Sequence, residues 1–325
     1  MTPKEYKELL KIAYQSKTSL ICLGEPGIGK TQIVFQTAEE LGVDVCYVPF
    51  STIVDRSDFR IPVPKHNTQE MVFYYTEELP KNGKGFILLD DITDADKYLI
   101  ATAKSLLFER KLSKYNVPPG YTVVATGNPL EFGGLSNIDD KVKTRVITLY
   151  LQVDIDDWLE WGKDIHPVIR SFLRYKPDAL YFRDGKTIIA PRNWEIFSNI
   201  LKHAKNHTIL KEPLGTLFPV FSNFVNAIKK MKDNVEKIKK VLNGDKVELP
   251  QEMSEKFVFL TAIHFYLKDK ELKEKEIVNL MNFARNSELE DEYRIFFVKE
   301  LCLLKPEIIS HKEVILTIKE LGGTI

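Results

Sequence analysis

The feature that most restricts this 325-residue chain is one short run, Gly24-Glu25-Pro26-Gly27-Ile28-Gly29-Lys30-Thr31. It fits G-x-x-x-x-G-K-[ST], which a chain of this length should contain by accident only on the order of once in a hundred. An apolar run precedes it and an amphipathic stretch follows, so the motif joins a strand to a helix. Glycines let the backbone curl until successive N–H groups face one point, and the helix N-terminus adds its partial positive charge. Such a loop suits a polyanion. Lys30 would reach the outer phosphates of a nucleoside triphosphate and the Thr31 hydroxyl would ligate Mg²⁺. Gly24, Glu25, Pro26, Gly27, Ile28, Gly29 and Gln32 complete the cradle. Stripped of its setting, the run is a glycine turn ahead of a helix.

Residues 18–23, 44–50, 86–91, 121–126 and 146–153 are short runs, nearly all apolar, as parallel strands buried on both faces require. Between the first two, Ile33, Val34, Ala38 and Leu41 share a helical stripe that Gly42 ends. Over 94–110, Leu99, Ala103, Leu106 and Leu107 do the same, with Thr93 and Asp96 as a start resembling a capping box. The alternation predicts an α/β fold built on a doubly wound parallel sheet. Two interruptions read as hairpins: 61–64 with 71–76 around the polar 66–69, and 111–119. Beyond about residue 154 the strands are expected to stop. Residues 155–162, 167–175, 192–206 and 217–230 read as helices, and a helical tail follows from 236. Its last helix is predicted to open on Ser310 with Glu313 and to end at Gly322-Gly323. The predicted organisation is an α/β nucleotide-binding core over 1–153, a helical lid over 154–235 and a C-terminal helical extension over 236–325.

A second element supports the first. Phe86-Ile87-Leu88-Leu89-Asp90-Asp91 ends a buried strand in two carboxylates, at the sheet edge where the glycine loop lies. Asp90 would hold Mg²⁺ through water, and Asp91 would polarise an attacking water. Alone, such a strand end is as readily a helix N-cap.

With both elements in order, residues 18–205 resemble AAA+ ATPases, and more narrowly the MoxR-like group with an insert in helix 2. The 61–76 hairpin falls where that group carries its insert. Ala125-Thr126-Gly127-Asn128-Pro129 is similar to its sensor-1 strand end, which implies that Asn128 positions the lytic water; read locally, Asn128 is a turn residue before proline. Lys143-Thr144-Arg145 stands where similar proteins carry an arginine finger, so Arg145 would act on the nucleotide of a neighbouring subunit, the alternative being a surface arginine. Ala190-Pro191-Arg192-Asn193-Trp194 resembles the sensor-2 motif, with Arg192 touching nucleotide in cis. The resemblance implies ATP or ADP with Mg²⁺ as cofactors and a homo-oligomeric ring, a hexamer, that remodels a protein client. Residues 153–177 also resemble ATPases paired with a von Willebrand factor A domain protein, which makes such a protein the implied partner. The group usually has Glu at the position of Asp91; the shorter side chain retreats roughly 1.5 Å, a displacement that can slow turnover about 100-fold.

Composition excludes more than it assigns. Lys plus Arg and Asp plus Glu are equal at 46 each, so net charge points to neither nucleic acid nor an anionic membrane. No run approaches the roughly 20 apolar residues that span a bilayer, and a cytoplasmic location is expected. Cys22, Cys46 and Cys302 have neither disulfide nor zinc spacing; the first two read as small core residues. His203 and His207 are spaced for one helix face and read as a surface pair rather than metal ligands. Trp158 and Trp161 read as helical core. Two other readings stay open: a DNA-associated motor or loader, with Lys65, Lys81, Lys111 and Lys114 lining a pore, and a slowly hydrolysing ATP-dependent switch.

Overall fold

The computed structural model describes the chain apart from residues 54–55, 67–69, 96, 133–143, 234, 269, 287 and 324–325, and apart from the side chains of 56, 97–98, 231–233 and 253–254. In chain order its strands are β1 (Leu20–Leu23), β2 (Asp44–Pro49), β3 (Arg60–Pro64), β4 (Met71–Tyr75), β5 (Gly85–Asp90), β6 (Lys111–Leu112), β7 (Tyr115–Asn116), β8 (Tyr121–Gly127), β9 (Ile147–Tyr150), β10 (Phe182–Asp184) and β11 (Thr187–Ile189). The described residues divide into two compact units, Met1–Trp158 with Ala190–Arg192, and Leu159–Ile189 with Asn193–Ile325.

In the first unit β2, β5, β8, β1 and β9 form one sheet in that order, every pair parallel. The apolar runs are continuous because both faces of the sheet are covered. Every residue of β1, β5 and β8 is buried, whereas the edge strands β2 and β9 are largely half-buried or exposed. Helices α1 (Pro3–Ser16) and α2 (Lys30–Leu41) pack against each other, α1 touching β8 and α2 touching β5; α3 (Lys97–Glu109) also packs on β8. Ile21, Leu23, Val48, Ile87, Leu89, Val123 and Ala125 join Leu99, Ala103, Leu106 and Leu107 of α3 in one apolar cluster. The strands pack too closely to admit a side chain at residue 85. A Cβ on Gly85 would lie 2.0 Å from the Asp44 carbonyl oxygen.

Both expected hairpins form, β3 with β4 and β6 with β7. The tip of the first, at 67–69, and Lys143 of the expected arginine-finger motif lie outside the described residues. So does Asp96. Thr93 sits in a short 3₁₀ turn, Ile92–Asp94, instead of capping α3.

The second unit is helical, with one correction to the expectation that strands stop at 154: β10 and β11 pair antiparallel. The signal is Gly185-Lys186 between β-formers, with Gly185 at φ 53° opening the two-residue loop in left-handed backbone. Helix Met253–Leu267 packs on helices Phe218–Asp233, Pro167–Tyr175 and Asp291–Leu304. Phe172 lies at the centre, its ring 5.1 Å from Phe221 and 5.7 Å from Trp194. Three further expectations need correcting. His203 ends the helix Pro191–His203, while His207 opens a separate 3₁₀ turn that Asn206 caps, so the histidines do not share a helix; His207 is buried against the Ser222 hydroxyl. The last helix, Lys312–Glu320, is capped by His311, whose ring accepts from Glu313 N–H, rather than by Ser310. Trp161, at the end of its short helix, is exposed, so of this pair Trp158 alone is buried.

One buried ion pair ties the second unit across 130 residues of chain. The Arg170 guanidinium meets the Glu300 carboxylate through both Nε and Nη2, and its Nη1 reaches the carbonyls of Leu159 and Gly162. Arg170 is 4% exposed and Glu300 8%, so removing one partner strands a charge away from water. Glu300→Ala should cost about 3–5 kcal/mol of stability, measured as urea unfolding followed by tryptophan fluorescence. Replacing both residues by apolar ones of similar volume should cost less.

Candidate functional site

Strand register assembles the site. Leu23 pairs with Gly127 and Tyr150, and Leu89 with Ala125, so β1, β5 and β8 end side by side. The glycine loop leaves β1 at this edge and runs into α2. Gly29 caps that helix at φ 100°, a left-handed conformation that glycine adopts without strain. A Cβ on Gly24 would meet the Ile28 side chain at 2.7 Å and the Leu151 carbonyl at 2.9 Å. Ile28 is buried, Glu25 half-buried, and Pro26 and Gln32 exposed. The first N–H groups of α2 have no helical carbonyl to bond, so they face the loop with the positive end of the helix dipole.

Lys30 is 6% exposed, and its ammonium donates to three neutral oxygens: the Gly24 and Glu25 carbonyls and Asn128 Oδ1, each at 2.9 Å. Burial lowers its pKa, against the opposing pull of Asp91 and Asp90. Asp90, equally buried, is held by three hydroxyls. Thr31 Oγ1 donates to its Oδ1 at 2.7 Å, Thr126 Oγ1 donates to the same oxygen, and the Tyr47 hydroxyl donates to Oδ2 at 3.0 Å. Partial burial first, and the adjoining Asp90 carboxylate second, push the Tyr47 phenol up to about 12, so it remains a donor near neutral pH.

The two central charges are thus surrounded by neutral partners, a buried cation among carbonyl and amide oxygens and a buried carboxylate among hydroxyls. This is the arrangement that fits a phosphate group at Lys30 and a hard divalent cation at Thr31 and Asp90.

Asp91 follows Asp90 in left-handed backbone, φ 53° and ψ 44°, its N–H donating to Thr126 Oγ1 at 3.2 Å. Its carboxyl is raised above the ordinary value by burial first, then by Asp90 and Asp94, while Lys30 and Arg192 pull it down. Asn128, half-buried, is fixed from its backbone, where its N–H donates to Thr93 Oγ1 at 2.8 Å. Arg192 is exposed; its N–H donates to the Gly27 carbonyl at 3.1 Å, and its charge bears on Lys30, Asp91 and Tyr47.

Lys30, Thr31, Asp90, Asp91, Asn128 and Arg192 therefore converge. Arg145 does not join them. It is exposed on the turn before β9, its guanidinium 5.8 Å from the centre of the Phe108 ring. Three residues of this network have no part in the site that the sequence predicts: Thr126, Tyr47 and Thr93, the last of which reads only as a helix cap. Thr126 was visible inside the Ala125–Pro129 motif, but nothing in the local pattern around Tyr47 marks it.

Asp91 is costly to the fold. Its proton is bound more tightly in the folded chain than in the unfolded one, so the penalty is absent at low pH and develops as pH rises through the unfolded and then the folded pKa. Asn also tolerates left-handed backbone well. Asp91→Asn should raise Tm at pH 7, and the gain should shrink toward pH 3. An unchanged Tm at pH 7 would contradict both arguments.

Residues 19–146 match the AAA domain family, dynein-related subfamily. Among solved structures, the chain is similar to a provisionally assigned ATPase from Cytophaga hutchinsonii at 14% identity, over 84% of this chain and 78% of that one, with a TM-score of 0.38. It is also similar to two variants of RuvB from Thermotoga maritima. One is 13% identical over 96% of this chain and 86% of that one, TM-score 0.37; the other is 12% identical over 96% and 85%, TM-score 0.39. The fold is a parallel-sheet P-loop AAA domain followed by a helical C-terminal region.

Proposed function

We propose that the chain binds ATP with Mg²⁺ and hydrolyses it to ADP and phosphate as a MoxR-like AAA+ ATPase, acting as a homo-oligomeric ring on a protein client. The observation that carries this reading is the convergence of buried Lys30 with Asp90, Asp91 and Asn128 at one sheet edge, each held by named partners. Gly24, Glu25, Pro26, Gly27, Ile28, Gly29 and Gln32 would wrap the phosphates, Lys30 would neutralise them, and Thr31 with Asp90 would hold the metal, whose chemistry is to draw charge from the phosphoryl oxygens. Asp91 would take up the proton of the attacking water, oriented with the help of Asn128. Arg192 would sense the nucleotide in cis. Arg145, exposed and outside the network, suits a group offered to a neighbouring subunit.

The division into a core over 1–153, a lid over 154–235 and an extension over 236–325, a hexameric ring, a cytoplasmic location and a von Willebrand factor A domain partner belong to the same proposal; the ring and the partner rest on the sequence resemblance, the division and the location on the patterning of the chain. Among the described residues no helix is long and apolar enough to cross a membrane. The switch reading keeps one support of its own. Asp91 is one methylene shorter than the glutamate usual at this position, which sets its carboxylate farther from the water and favours slow turnover.

Calorimetric titration of ADP and ATP with Mg²⁺ is the direct test, and the absence of any heat would end the proposal. Lys30→Ala should abolish binding. Arg145→Ala should leave binding intact and lower kcat by about 10³-fold; normal hydrolysis in that variant would remove the trans-acting role. Because Asp91 must be ionised to act as a base, the acid limb of kcat/KM should lie above the ordinary aspartate value.

A further inference from the structure

Asp90 is the carboxylate assigned above to the metal, and its two oxygens are restrained from different places. Oδ1 takes hydroxyls from Thr31 on the loop-helix junction and Thr126 on the neighbouring strand. Oδ2 takes the hydroxyl of Tyr47, which comes from the sheet edge. The register explains the reach. Tyr47 pairs with Leu88 and Pro49 with Asp90, so Tyr47 and Asp90 project from the same face of adjacent parallel strands, offset by two residues. The phenol ring packs against Phe35, at 5.8 Å between ring centres and 47° between planes. Phe35 lies one turn after Thr31 on α2, the helix that carries the other metal-site residue.

We propose that Tyr47 is a positioning residue of the Mg²⁺–nucleotide site, its hydroxyl fixing the rotation of the Asp90 carboxylate while its ring keys that carboxylate to α2. The proposal rests on the nucleotide-binding reading given above. The terminal torsion of an aspartate is broad and two-fold, so hydroxyls on one oxygen alone leave the plane of the group loosely set. A donor on the second oxygen sets it. A hydrated divalent cation needs its carboxylate oxygens in a definite direction, so loss of this donor should appear as a greater demand for metal. Tyr47 brings no charge and makes no contact with Lys30's three acceptors, so metal-free nucleotide binding should not depend on it.

Tyr47→Phe keeps the ring against Phe35 and removes the hydroxyl. ADP affinity should be measured by calorimetry for the native chain and this variant across a Mg²⁺ series and in EDTA. The expected result is an unchanged affinity in EDTA and an increase of about three- to tenfold in the Mg²⁺ concentration that half-saturates the metal-dependent gain. The Mg²⁺ dependence of hydrolysis should shift in parallel, with kcat at saturating Mg²⁺ nearly preserved. Tyr47→Ala, which also loses the ring, should need at least as much Mg²⁺ as Tyr47→Phe. An unchanged Mg²⁺ requirement in Tyr47→Phe overturns the proposal. A lowered requirement overturns it too, because the phenol would then compete with the metal instead of orienting its carboxylate. Equal loss of affinity with and without Mg²⁺ would assign Tyr47 a merely structural role, again overturning it. A native chain that binds no ADP in either medium removes the nucleotide site itself, an outcome distinct from all of these.

Discussion

The parallel alignment of β5, β8 and β1 is the constraint from which the candidate site follows. These three strands are buried along their whole length, and their mutual register brings the exits of all three to one edge. A shift of one residue in any strand would turn its side chains to the opposite face. Asp90 would then leave Thr31, Thr126 and Tyr47. The apolar core holds this register because slipping it would carry Ile87 and Leu89 on one strand, or Val123 and Ala125 on the next, out of the cluster they share with α3. Packing on the two faces of the sheet therefore sets the polar geometry at its end.

At that end, opposite charges are kept apart. Lys30 and Asp90 are both buried, yet each is satisfied by neutral groups, so neither is quenched by the other. Neutral partners hold a charge in place at a lower cost than leaving it bare and keep it available to a ligand of opposite sign. Asp91 completes the pattern at the expense of stability, since it is partly desolvated beside two other carboxylates and held in left-handed backbone. The second unit uses its buried charges differently. Arg170 and Glu300 neutralise each other directly and fasten distant helices, so nothing is left over for a ligand.

Much of this was legible in the residues themselves. The glycine loop, the strand ending in Asp90 and Asp91, and the strand ending at Asn128 were each visible because a buried parallel strand is a short apolar run and the chain changes character abruptly where it ends. The strand ends fell within a few residues of the apolar runs, and helix Pro167–Tyr175 has the bounds its pattern predicts. Local pattern and structure part where a local signal is faint or is overruled by its neighbours. Ser310 carries the capping pattern, but the turn begins one residue later on a histidine that offers an equivalent acceptor. His203 and His207 have helical spacing, yet Asn206 starts a new turn between them. The turn at Gly185-Lys186 gives only a faint signal because the strands it joins are three residues long.

The order of the chain determined which chemistry is present: a loop that curls around phosphate, a lysine, two adjacent carboxylates and an asparagine, each at the end of an element that hydrophobic periodicity defines. Only the tertiary structure decided which of these groups meet and what else joins them. Asn128 reaches Lys30 across 98 residues, and Tyr47 reaches Asp90 from the sheet edge, because strand order and register are settled by packing of the whole unit. Arg145 remains apart for the same reason. Periodicity along a chain specifies which face a side chain takes, but its neighbour on that face belongs to another strand, and no local pattern encodes it.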